Sequence, residues 1–126
     1  QAIGSDTGPG IRLDLLERLD RVPEHSPVLD ALIRVLTNDP NPAVRLKAVS
    51  ALASHVGNPL VRRAFLSALS NDVNPGVRVL VIDALQNVTQ QDLAGGVRRV
   101  AETDRNPYVK AEAARLANRL EKNRKL

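Results

Sequence analysis

Cysteine is missing from all 126 residues, and with it go disulfides, thiolate metal sites and thiol nucleophiles. Aromatic residues are nearly missing as well. One Phe and one Tyr do not suffice for the aromatic lining that ligand pockets usually have. No apolar run reaches membrane-spanning length and no signal-peptide pattern is present, so this segment is expected to make no membrane contact. Charge of one sign is not gathered into a block. Eighteen Lys and Arg stand against fourteen Asp and Glu, a net charge of +4 spread along the chain. That surplus reads as a mixed surface and not as a nucleic-acid footprint. Only Arg119, Lys122, Arg124 and Lys125 cluster, the last three in a basic tail over 121–126 where a solvated end is the default. The chain begins with Gln1 and its first repeat is incomplete, which reads as a piece of a longer protein.

What the chain does have is a repeated heptad of residues. Asp39-Pro40-Asn41-Pro42-Ala43-Val44-Arg45 recurs as Asp72-Val73-Asn74-Pro75-Gly76-Val77-Arg78 and as Asp104-Arg105-Asn106-Pro107-Tyr108-Val109-Lys110. A fainter copy runs from Asp6 to Arg12. The Asp-to-Asp offsets are 33 (6 to 39), 33 (39 to 72) and 32 (72 to 104), the signature of a stacked repeat array. Small aliphatic residues, mostly Leu, Val and Ala, suit thin helical layers packed closely.

The breakers divide the chain into seven helical segments and no strand. Residues 1–10, with three Gly and a Pro, read as a linker or frayed start. A helix over 11–22 carries Leu15, Leu16, Leu19 and Val22 and stops at Pro23. Ser26-Pro27, Asn41-Pro42, Asn58-Pro59, Asn74-Pro75 and Asn106-Pro107 each open a further helix. The polar residue can cap the free amides, and proline at the first helical position lacks only an amide that would be unpaired. Thr89 with Asp92 three residues on reads as the cap of the remaining helix. Gly95-Gly96 inside it predicts the least regular helix, each glycine costing roughly 1 kcal/mol against alanine. The resulting fold is all-α: about 3.5 repeats of antiparallel helix pairs stacked as an α-solenoid, with repeats over about 26–56, 58–88 and 89–120.

Within the motif, Asn caps, Pro fixes the first turn, Val begins the buried face, and Asp faces the free amides of the next helix. The basic residue falls about one turn into that helix. Asp and Arg columns can then form a structural ladder: Asp39 with Arg45 or Arg78, and Asp72 with Arg78 or Lys110, with Asp104 beside Lys110 in the last copy. The rival reading makes Arg12, Arg45, Arg78 and Lys110 a phosphate-binding stripe. Each has its own Asp upstream, and a neutralised stripe is a poor anion binder.

A helix-pair unit of this length with Asp-x-Asn-Pro-x-Val-Arg before its second helix resembles a short HEAT repeat, over roughly residues 6–120. The resemblance implies an adaptor or scaffold surface for a protein partner, lined by the second helices. Aligned by the period, these present three columns: Asp14, Lys47, Leu80 and Glu112; Glu17, Ser50, Asp83 and Arg115; and Arg21, Ser54, Asn87 and Arg119. The columns lie between apolar positions and are expected to be exposed as the partner-binding face. They keep no single charge sign and repeat no aromatic, which disfavours nucleic acid. A nucleic-acid-binding array and a rigid spacer in a larger protein are the alternatives. A pigment-lyase-like activity, of the sort some short HEAT proteins have, is remote because the chain has no aromatic cage. The compartment stays open between the cytoplasm and the outer part of a membrane-anchored bacterial protein, and the oligomeric state stays open too. His25 and His55 lack a second ligand at helical spacing, so no metal is expected. No Ser-His-Asp pattern, phosphate loop or carboxylate pair with a burial signal is present, so neither catalysis nor a cofactor is expected.

Overall fold

The structure is a computed structural model that describes residues 26–124. Among the described residues there are six α-helices and no strand. They are α1 (Pro27–Asn38), α2 (Pro42–Leu52), α3 (Pro59–Asn71), α4 (Pro75–Ala84), α5 (Ala94–Thr103) and α6 (Pro107–Arg124). The expected helix over 11–22 lies outside the described residues.

Five of the six helices start at the same chemistry. The side chains of Ser26, Asn41 and Asn58 accept the amides of Val28, Ala43 and Leu60 at 3.1, 2.9 and 2.8 Å. Asn74 accepts from Gly76 and Val77, and Asn106 from Tyr108 and Val109. Proline follows each cap, where no amide is lost. The sixth helix departs from expectation. α5 begins at Ala94 after Leu93, which makes no side-chain cap, and the Thr89–Asp92 cap does not form. Gly95 and Gly96 therefore fall in the first turn of α5, where they interrupt nothing. Gly96 also answers to close packing, since a Cβ there would run into the Leu66 side chain on α3.

Each hairpin packs a first helix on a second: α1 on α2, α3 on α4, α5 on α6. Neighbouring hairpins continue the contacts within each row, α1–α3–α5 on one side and α2–α4–α6 on the other. The product is a two-layer α-solenoid of the kind the period predicts. The core runs between the layers and is almost wholly aliphatic. Phe65 is its largest side chain and is fully buried, beside Leu32, Leu36, Leu52, Leu69, Ile82 and Leu85. α6 runs on past Leu120 to Arg124, so the segment read as a basic tail begins as helix. There Glu121 accepts from Arg98 of α5 at 2.8 and 3.2 Å, and this bond to Glu121 raises the Arg98 pKa above its ordinary value.

The motif's Asp and Arg join the hairpins, but in a different pairing from the one the columns suggest. Arg45 does not pair with the carboxylate of Asp39. It reaches forward, placing Nε and Nη2 on the two oxygens of Asp72 at 2.9 and 3.0 Å. Its Nη1 donates backward to the Asp39 carbonyl at 2.8 Å. Arg78 repeats the arrangement one layer on, with Asp104 at 3.0 and 3.2 Å and the Asp72 carbonyl at 3.0 Å. Each aspartate also accepts the amide two residues ahead, so Asp39, Asp72 and Asp104 order the turn into the next helix. The physical reason for the forward pairing lies in the layered geometry. The Asp oxygen nearest its own helix is held by that turn amide, and the carboxylate faces the preceding layer. Lys110, in the last copy, is exposed and has no ion pair among the described residues.

A second staple stands on the opposite edge, at the turns between hairpins. Arg62, 7% exposed, donates through Nε and Nη2 to Asp92 at 3.0–3.1 Å and through Nη1 to the carbonyls of Val56 and Gly57. The sequence holds a sign of it: Asn58-Pro59-Leu60-Val61-Arg62 is another Asn-Pro-x-Val-Arg, hidden because Val56 stands where the Asp would be.

Removing one member of a buried ion pair leaves the other charge without compensation. The Asp72 and Arg45 side chains are 6% and 11% exposed, so Asp72→Ala is expected to lower stability by about 3 kcal/mol in urea unfolding. Asp92, 48% exposed, lets water replace it. Asp92→Ala is expected to cost about 1 kcal/mol or less. Equal losses for the two variants would contradict this ranking.

Candidate protein-interaction face

The second-helix layer carries the expected columns on one side. α2 and the 3-10 turn after it (Ala53–His55) present Lys47, Ser50 and Ser54, all exposed. α4 and the turn beyond it present Leu80, Asp83 and Asn87; Asp83 and Asn87 are exposed and Leu80 is half-buried. α6 presents Glu112, Arg115 and Arg119, of which Arg115 is exposed and the other two are half-buried. Asp14, Glu17 and Arg21 lie outside the described residues. The α2–α4 and α4–α6 packing makes these columns neighbours across helices.

Both described arginines of these columns are already engaged. Arg119 crosses to the end of α4, where Nη1 donates to the Val88 carbonyl at 2.7 Å and Nη2 to the carbonyls of Leu85 and Gln86. Those carbonyls lie past the last turn of α4 and need donors. Arg119, expected to be exposed, is half-buried and forms a bracket between the second and third hairpins. Arg115 is turned onto Glu112 of its own helix, so that pair presents no net charge.

One residue of this face is missing from the expected columns. Tyr108 stands one turn ahead of Glu112, in the row that also holds Ala43 and Gly76. The residue is 47% exposed, and its hydroxyl donates to Oδ1 of Asp83 at 3.2 Å, tying α6 to α4. The signal was available in the sequence, since the variable position of the motif is small in two copies and aromatic in the third. The bond to Asp83 and the negative charge of that carboxylate raise the Tyr108 pKa, with Arg115 opposing them weakly. The sign follows from charge: a phenolate there would face a carboxylate.

Among the described residues no group of three or more His, Cys, Asp or Glu is placed to hold a metal ion. His55 is half-buried in the 3-10 turn. No described helix is long and apolar enough to cross a membrane.

Because Tyr108 is the chain's single tyrosine and tryptophan is absent, its ultraviolet titration is readable without interference. The midpoint is expected above the ordinary value of about 10, and Asp83→Ala is expected to bring it back there. An unchanged midpoint in the variant would remove the Tyr108–Asp83 contact from this face.

The comparison with known families agrees with the geometry of stacked hairpins. The family model for HEAT repeats matches residues 29–120. No curated protein and no solved structure matches the chain. HEAT repeats generally serve protein–protein interaction or scaffolding and are typically non-catalytic. With the match covering most of the sequence and the two-layer helical stack beneath it, the chain belongs to the HEAT-repeat family.

Proposed function

We propose that the chain is a non-catalytic protein-binding module whose partner docks on the second-helix face across α4 and α6. The observation that carries the proposal is the exposed Tyr108 ring, held in place by Asp83 in surroundings of mixed polarity. A rigid aromatic with a polar end contributes large contact area at small entropic cost, and tyrosine is among the residues that dominate interface energetics. Half-buried Leu80 of α4 adds apolar surface to this face, and Lys47, Ser50, Ser54, Asn87 and the Glu112–Arg115 pair add polar groups.

The charge of this face supports a protein over nucleic acid. Backbone phosphates need several unpaired Lys or Arg in register. Among the described residues of these columns Glu112 offsets Arg115 and Asp83 offsets Lys47, which leaves Arg119, already donating to carbonyls, as the one surplus cation.

Site-specific photo-crosslinkers at Ser50 and Asn87 test the proposal against a control at Arg34, which is exposed in the first-helix layer. A discrete protein adduct is expected from the second-helix positions and not from Arg34. Tyr108→Ala is expected to weaken that complex about tenfold or more. Adducts of equal yield from Arg34, or none from Ser50 and Asn87, would overturn the assignment of this face.

A further inference from the structure

The edge formed by the Asp-x-Asn-Pro turns contains a cavity that the second-helix face does not use. It measures about 850 Å³ and opens between the second and third hairpins. The end of α3 and the turn after it supply Ser70 and Val73, and the end of α5 supplies Arg99, Thr103 and, just beyond, Arg105. Its volume lies within the range of sites that hold small ligands or short peptide segments.

The charges inside this cavity are unequal once the ladder is taken into account. Asp72 and Asp104 both line it, but both carboxylates are already used. Asp72 takes Arg45 and the Asn74 amide, and Asp104 takes Arg78 and the Asn106 amide. Arg78, the third arginine of the lining, is spent on Asp104. Arg99 and Arg105 are exposed, and their guanidinium groups make no hydrogen bond or ion pair among the described residues. The cavity thus presents two uncompensated cations, beside hydroxyls from Ser70 and Thr103. At its rim Val73 is 88% exposed, the most exposed large apolar side chain among the described residues.

We propose that this cavity is a second docking site, separate from the Tyr108 face, for an acidic linear segment of a protein partner carrying an aliphatic residue. Arginine forks match carboxylates in a bidentate manner, and Val73 offers the aliphatic contact between chains. A nucleic acid fits less well. Two free cations are few for a phosphate backbone, and the lining contains no aromatic ring for a base to stack on.

The probe is a fluorescein-labelled peptide of glutamates with interspersed leucines, followed by anisotropy and by amide chemical-shift mapping. Shifts are expected to centre on Val73, Arg99 and Arg105. The double variant Arg99→Ala/Arg105→Ala is expected to weaken binding about tenfold or more. Both side chains are exposed and their guanidinium groups make no bond among the described residues, so the variant is expected to keep the wild-type circular dichroism and unfolding curve. Arg34→Ala removes the same kind of charge elsewhere and is expected to leave affinity unchanged. A peptide with Gln for Glu is expected to lose binding as the double variant does. The proposal is overturned by absent binding, by shifts that centre elsewhere, or by an equal loss in Arg34→Ala, which would mean that net charge alone attracts the peptide. A labelled DNA duplex that bound at these residues more tightly than the peptide would overturn it too. None of these results bears on the Tyr108 ring, which does not line the cavity.

Discussion

A buried guanidinium that holds its own turn with one arm and the next layer with the other two is the contact on which this array depends. Arg45 fixes the distance between the Asp39 carbonyl and the Asp72 carboxylate, and Arg78 does the same between Asp72 and Asp104. Apolar burial drives the layers together but is non-directional. The aliphatic core could slide by part of a turn at modest cost. A bidentate arginine cannot slide, because a displaced fork would leave a charge buried without a partner. Arg62 does the same on the other edge with Asp92, and Arg119 spans α6 to the end of α4. In a repeat array, stability is approximately the sum of units and their nearest-neighbour interfaces. These arginines are where that interface acquires its register.

Much of this was written plainly in the sequence. The Asn-Pro and Ser-Pro starts of five helices are local chemistry, complete within three residues, and a single chain reports them fully. The spacing of the Asp-x-Asn-Pro-x-Val-Arg copies likewise reports stacked helix pairs. The partner of each Arg was not legible. The period places several aspartates at comparable separation, and only the packing of one hairpin on the next selects the forward one. The Thr89 cap failed because Asp92, needed for it, faces Arg62 instead. Arg119 looked like a surface residue by its column, yet its length lets it reach the carbonyls just past the end of α4.

The division of labour along the motif follows from the same geometry. Asp, Asn, Pro, Val and Arg are spent on turn, cap, core and layer register, so they repeat. The position between Pro and Val points outward and is free to vary, which is how Ala43, Gly76 and Tyr108 come to share one row. Recognition in such an array is carried by what does not repeat. Tyr108 on one face, and Val73, Arg99 and Arg105 at the turn edge, are all departures from the repeat. Val73, Arg99 and Arg105 take no part in the Arg–Asp contacts that join the layers.

A double-mutant cycle on Arg45 and Asp72 tests the central claim most directly. Stabilities of Arg45→Ala, Asp72→Ala and the pair, measured by reversible urea unfolding, give the coupling between two neighbouring layers. The account predicts a favourable coupling of about 1–3 kcal/mol, because each single variant strands a buried charge that the double variant removes. Additivity within about 0.3 kcal/mol would contradict it, since residues that do not act together behave that way.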